Sequence, residues 1–277
     1  MNSEREKKLK SISKELLVVE NRERKLCREN KPAHASGWRA VLQEKVPKKV
    51  YVSLQKAFSK GFAVVFKQGS AVIEKTYNRE ALLADCEIRA YAFKLKGTRK
   101  ELRRSQRAAE KSGLLNMAAT TVEGIGLGVL GIGMPDIVLF LGVLLKGIYE
   151  TALHYGFDYE LDTERMLILK MLKTALCSGN DRIKGNAEVN AWVAKPKPVS
   201  CEMLEQQIEE TASAFAVDML LLKFIQGIPL IGILGGAANP VYYGKIMRYV
   251  QIKYRKRFLL EQRDALCMTG KEQENER

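Results

Sequence analysis

Glu150 and His154 stand four residues apart, a spacing that puts two side chains on one face of a helix. A carboxylate beside an imidazole could tune it for general acid or base work. Upstream, Glu123 and Asp136 are 13 residues apart and would face one another on the two arms of a hairpin. Asp136 is the only charge in the stretch Gly124–Leu145, and a carboxylate in so apolar a run needs a partner. No nucleophile or metal constellation converges on these residues, so a structural role is the simpler reading: Asp136 capping a helix, Glu150 pairing with His154 or a lysine. The expectation is that the chain is not an enzyme; Asp136, Glu150 and His154 are the candidates if it is one, with a lipid-directed hydrolase as the reaction class.

Other chemistry is excluded more simply. Gly126-Leu-Gly128-Val-Leu-Gly131 spells a dinucleotide fingerprint, but the residues before it read as helix and Pro135 follows too soon for the uninterrupted helix that the fingerprint requires. No phosphate-binding loop of the glycine-lysine-serine type is present. The five cysteines, at 27, 86, 177, 201 and 267, include no pair at two-residue spacing, and the chain has only His34 and His154. Neither a disulfide framework nor a thiolate or multi-histidine metal site is expected. No cofactor is expected either.

The charge pattern is more informative. The net charge of +14 is concentrated in two runs. Lys94, Lys96, Arg99, Lys100, Arg103, Arg104, Arg107 and Lys111 form the first; Lys245, Arg248, Lys253, Arg255, Lys256, Arg257 and Arg263 form the second. The first run precedes the apolar stretch Gly124–Leu145, and the second follows another, Phe224–Tyr243, that carries no charge at all. Each stretch is about as long as a hydrocarbon core is thick, yet glycine and proline break both. Small residues in such stretches let helices approach closely. Lys and Arg beside apolar segments attract anionic lipid, and the placement favours a membrane surface over nucleic acid. Lys94, Lys96, Arg99, Lys100, Arg103, Arg104, Arg107, Lys245, Arg248, Arg255, Lys256 and Arg257 are the expected membrane-binding residues.

Apolar positions recur at three- and four-residue spacing throughout, and no long alternation of period two is present, so the fold is expected to be all-α: a single compact multi-helix bundle with two glycine-rich apolar helical segments. Residues 1–31 read as a charged peripheral arm, 32–265 as the helical domain and 266–277 as a polar tail. Pro47 starts a helix, Asn78 caps the next and Gly97 interrupts it; Gly156 closes the helix containing Glu150. Asp162 and Thr163 cap another that ends at Ser178-Gly179-Asn180. Lys195–Val199 is a linker, with Ser200 capping the helix beyond it. The first thirty residues lack the apolar core of a secretory signal, so reduced thiols and a cytoplasmic position at the inner face of a membrane are expected.

The run from Thr120 to Asp158, TTVEGIGLGVLGIGMPDIVLFLGVLLKGIYETALHYGFD, the following DTERMLILKML and the later LKFIQGIPLIGILGGAANPVYYGKIM resemble the EcsC family. VPKKVYVSLQKAFSKGFAVVF and GSAVIEKTYN resemble the amino-terminal half of bacterial members, so the resemblance covers about Trp38 to Phe258. The proline stands before Asp136, where the family pattern is Asp-Ile-Pro. Glu123, Gly124, Gly128, Gly131, Asp136, Tyr155, Gly156, Asp158, Gly235, Gly236 and Asn239 are the family-like positions expected to matter for structure or function. The resemblance implies a fold more than an activity; the family takes its name from gene clusters with an ABC transporter, so such a transporter or another membrane protein is an expected partner. A non-enzymatic protein on anionic membranes, accessory to a membrane machine or binding an amphipathic ligand, is the leading expectation. A soluble adaptor for an acidic protein is the other alternative to the hydrolase.

Overall fold

A computed structural model describes residues 2–29, 46–66, 73–119, 135–226 and 238–275. These residues are helical or in turns, with no strand among them. The helices are α1 (Asn2–Arg28), α2 (Lys48–Val64), α3 (Arg79–Lys96), α4 (Arg99–Ala119), α5 (Pro135–His154), α6 (Asp162–Leu176), α7 (Gly179–Ala194), α8 (Cys201–Gln226) and α9 (Ala238–Asn275).

Helix α5 lies at the centre, packed against α2, α3, α4 and α9. Its apolar residues point in every direction, as a helix surrounded by others requires, and Leu141, Leu144, Leu145, Ile148, Ala152 and Leu153 are fully buried. Helix α6 is almost as enclosed, between α7, α8 and α9. Phe58 and Phe62 of α2 meet Phe215 of α8 with ring centroids 4.9 and 5.7 Å apart, closing the side of the bundle where α2 and α8 pack.

Expected punctuation is mostly in place. Asn78 accepts from the Ala81 amide at 2.9 Å, and Ser200 from the Met203 amide at 3.2 Å. Gly97 ends α3 in a left-handed conformation, φ 63°, that an L side chain rarely adopts, and the stem of Lys8 from α1 lies across it. Gly156, φ 82°, ends α5 while the Phe157 amide bonds back to the Ala152 carbonyl at 3.0 Å. Asp162 and Thr163 do not cap: Leu161 holds the flanking position, and Asp162, already helical, accepts from Arg165. Helix α7, between Ser178 and the linker, is an addition to the sequence reading.

The expectation of two apolar helical segments is corrected. Among the described residues one helix, Ile137–His154, is long and apolar enough to cross a membrane, and 89% of it is buried inside the bundle. Its apolar surface is therefore covered by neighbouring helices, as in a core helix. Of the second stretch, Phe224–Gln226 belong to α8 and Ala238–Tyr243 to α9. The glycine-rich residues 120–134 and 227–237 lie outside the described residues.

The first helix is more than an arm. Ile12, Leu16, Val19 and Leu26 are buried at helical spacing, and α1 packs along α9 with further contacts to α4 and α7. Helix α9 in turn continues through the expected tail to Asn275.

Candidate functional site

Two carboxylates share the buried stripe of α1 with its apolar residues: Glu15 and Glu23. Each collects cations from other helices. Glu15 accepts from Arg99 at 2.6 Å, from Arg103 at 3.0 Å and from Arg255. Glu23 accepts from Lys253 and Lys256, both at 2.6 Å, while Asn190 of α7 donates to it at 3.2 Å. Burial alone would raise the Glu23 carboxyl, but the two ammoniums outweigh that and hold it down at about 2. Burial lowers Lys253 to about 8 in spite of Glu23, so the pair is ionised at neutral pH.

A third buried carboxylate, Glu164 of α6, accepts from Tyr254 at 2.7 Å and Arg257 at 2.6 Å. The Arg257 guanidinium lies 3.9 Å above the Phe157 ring. Lys245 reaches Asp218 at 2.9 Å. The second basic run is thus largely an internal scaffold: Lys253 and Arg255 are buried, Lys245, Lys256 and Arg257 half-buried, and Arg248 exposed. Placing Arg255, Lys256 and Arg257 on a membrane-facing surface is corrected by these partners.

The first basic run divides differently. Arg99 and Arg103 turn toward Glu15, whereas Lys94, Lys96, Lys100, Arg104, Arg107 and Lys111 are exposed. Lys100, Arg104, Arg107 and Lys111 recur at spacings of four, three and four, one face of α4. Preceding them on α3 is an exposed apolar row, Ile88, Tyr91 and Leu95, 66%, 63% and 57% accessible. In sequence Lys94 and Lys96 flank Leu95 at the end of α3, and Lys100 follows across the Gly97 turn at the start of α4.

No hydrogen bond joins Glu150 to His154, although the Glu150 charge still acts on the ring. Glu150 accepts from Lys146 at 2.6 Å and from Ser112 of α4. His154 instead lies against Arg89, whose Nη2 is 3.4 Å from Nδ1 and donates to the His154 carbonyl at 3.3 Å. Burial, and then the Arg89 charge, depress the imidazole to about 4, which makes it a weak base at neutral pH. Asp136 falls in the first turn of α5 and Asn239 in that of α9, but their side chains lie outside the described residues, as do Glu123, Gly124, Gly128, Gly131, Gly235 and Gly236. Among the described residues no group of three His, Cys, Asp or Glu could hold a metal. Burial raises the Cys27 and Cys86 thiols, leaving them poorly nucleophilic.

The remaining family-like positions build the loop after α5. Asp158 accepts from Arg79 at 3.1 Å. Close by, Tyr77 donates to the Tyr159 hydroxyl and Tyr159 to Glu74, both at 2.8 Å, while Tyr159 stacks on Tyr149 at 4.1 Å. Tyr155 lines a cleft of about 280 Å³ between α1, α4 and α9. Arg22, Lys25, Arg248 and Arg255 also face this cleft, with Glu29 and Glu110.

Buried carboxylates clamped by basic helices, an exposed basic and apolar edge, and a cationic cleft define the class: an all-α bundle organised around internal ion pairs. The EcsC protein family model matches residues 10–259, from within α1 to within α9, and the chain belongs to that family. It is 25% identical over 134 residues to Protein EcsC of Bacillus subtilis (strain 168), an alignment covering 47% of this chain and 54% of that protein. The chain thus spans about half the length of the curated relative it matches. No solved structure matches it.

Proposed function

We propose that this EcsC-family bundle is a non-catalytic protein of anionic membrane surfaces, docking peripherally at the cytoplasmic face and serving a membrane assembly or an amphipathic ligand there. The observation that carries this reading is the edge made by Ile88, Tyr91 and Leu95 beside Lys94, Lys96, Lys100, Arg104 and Arg107, all exposed. Apolar side chains and an aromatic ring would enter the headgroup region while the cations meet lipid phosphates. Docking falls to this edge because the central apolar helix is enclosed by its neighbours.

Co-sedimentation of the full chain with phosphatidylcholine or phosphatidylglycerol vesicles, at low and high salt, tests the proposal. The expected result is binding to the anionic vesicles alone, weakened by salt and reduced by Tyr91→Ser with Leu95→Ser. Failure to bind either vesicle, or binding that ignores the two substitutions, overturns it. The hydrolase reading loses support from the separate partners of Glu150 and His154.

A further inference from the structure

The cleft between α1, α4 and α9 carries more positive charge than its own residues balance. Arg22, Lys25, Arg248 and Arg255 line it against two carboxylates, Glu29 and Glu110. Those carboxylates hold the rim loosely: Arg22 stands 3.9 Å from Glu110 and Arg248 3.7 Å from Glu29, with all four side chains exposed by about half. Exposed pairs of that length contribute little and are readily exchanged for a better partner.

At the cleft wall Arg255 is in the opposite situation. Its side chain is 5% accessible, and one of its amino groups, Nη2, bonds Glu15. The other, Nη1, is buried and has no hydrogen-bond partner among the described residues. Glu15 cannot satisfy it, because that one carboxylate already serves Arg99 and Arg103 as well. Three guanidiniums on one carboxylate leave two positive charges over. A buried donor without an acceptor is costly, and a guanidinium fork is matched in shape by the oxygens of a phosphate. Burial also disfavours the Arg255 charge and keeps the adjoining Tyr155 phenol protonated as a further donor.

We propose that this cleft is a binding site for a phosphate monoester group, held by Arg22, Lys25 and Arg248 at the rim and by Arg255 in the wall, whose enclosed Nη1 turns outward to meet it. Its volume, about 280 Å³, is just below the roughly 300–1,000 Å³ of pockets for drug-sized molecules. A single phosphorylated headgroup or a free phosphate fits that scale better than an extended chain does. The site is separate from the membrane edge on α3 and α4, so either can fail without the other.

Titration calorimetry of the full chain with inorganic phosphate, and sedimentation with vesicles containing phosphatidic acid against pure phosphatidylcholine, distinguish the two sources. The test variants are Arg22→Gln with Arg248→Gln, both at exposed positions that leave the core intact, and Arg255→Lys, which keeps the charge but loses the fork. Lys56→Gln with Lys60→Gln, exposed on α2, is the control away from both the cleft and the membrane edge. Saturable phosphate binding that drops about tenfold or more in the test variants, and stays within about twofold in the control, assigns the site to a free phosphate. Binding to phosphatidic acid vesicles alone, with the same variant pattern, assigns it to a lipid headgroup. If neither probe gives binding that depends on Arg22, Arg248 or Arg255, the proposal is overturned.

Discussion

Lys253 and Glu23 meet at 2.6 Å with their side chains 2% and 5% accessible, joining the last helix to the first. Removing one partner leaves the other charged and enclosed. Glu23→Ala is expected to lower stability by about 3–5 kcal/mol, and a double replacement by Leu at 23 and Met at 253 to recover much of that. Urea denaturation measures both. A loss under about 1 kcal/mol for Glu23→Ala would show that water reaches the pair.

His154 gives the fold an acid limit. Its folded value is about 4 against the ordinary 6.5, so between those values the unfolded chain takes up a proton that the folded chain refuses. Stability is therefore full above pH 6.5 and declines as pH falls toward 4, by about 3 kcal/mol in all. Glu23, held at about 2 against 4.5, adds a further loss below pH 4.5. The imidazole proton resonances, from only two histidines, should show one ring still neutral at pH 5. His154→Gln should flatten the stability profile between pH 4.5 and 6.5, and an unchanged profile would rule the mechanism out.

Helices α5 and α9 meet at Gly147, where an added Cβ would collide with the Tyr243 hydroxyl oxygen. Gly147→Ala is expected to cost about 1–3 kcal/mol through forced separation of the helices. In a Tyr243→Phe background the penalty should shrink, since the next ring carbon stands 3.0 Å away. Thermal denaturation of the four chains decides this; equal penalties in both backgrounds would mean that the hydroxyl is not the obstacle.

The two basic runs should behave oppositely on substitution. Lys100→Gln and Arg107→Gln are expected to weaken binding to phosphatidylglycerol vesicles about fivefold each, near 1 kcal/mol per charge, with the melting temperature unchanged. Arg257→Gln leaves Glu164 without its guanidinium, so it should lower the melting temperature and leave vesicle binding as it was. Parallel sedimentation and melting measurements separate the cases. Vesicle binding that responds to Arg257 as strongly as to Arg107 would contradict the division.

The helices were legible where apolar spacing or a capping residue marked them: Asn78, Gly97, Gly156 and Ser200 stand where the pattern places them. The interior role of the second basic run was not. Lys253, Arg255 and Lys256 are answered by Glu15 and Glu23, more than 200 residues earlier, and local spacing carries no information about so distant a partner. One local signal was readable. Ile12, Glu15, Leu16, Val19, Glu23 and Leu26 occupy a single helical stripe, and carboxylates on an otherwise apolar stripe announce buried cations. Helix α7 escaped because Gly179 and Gly185 suggest a loop; Gly185 is there for close packing, with Thr174 Oγ1 2.7 Å from where its Cβ would be. Glu150 and His154 share one face of α5 as their spacing implies, but Arg89, 65 residues earlier, takes the imidazole.

The pairing of Glu23 with Lys253 also sets an order of events during synthesis. A ribosome adding about 5–20 residues per second makes the lysine roughly 12–45 seconds after the glutamate, across the 230 residues between them. Throughout that interval α1 has its buried-face carboxylates and apolar stripe but not the helix that covers them. Closure of the bundle must then await the arrival of α9, and a nascent chain stalled before Lys253 would present that stripe to whatever binds exposed apolar helices.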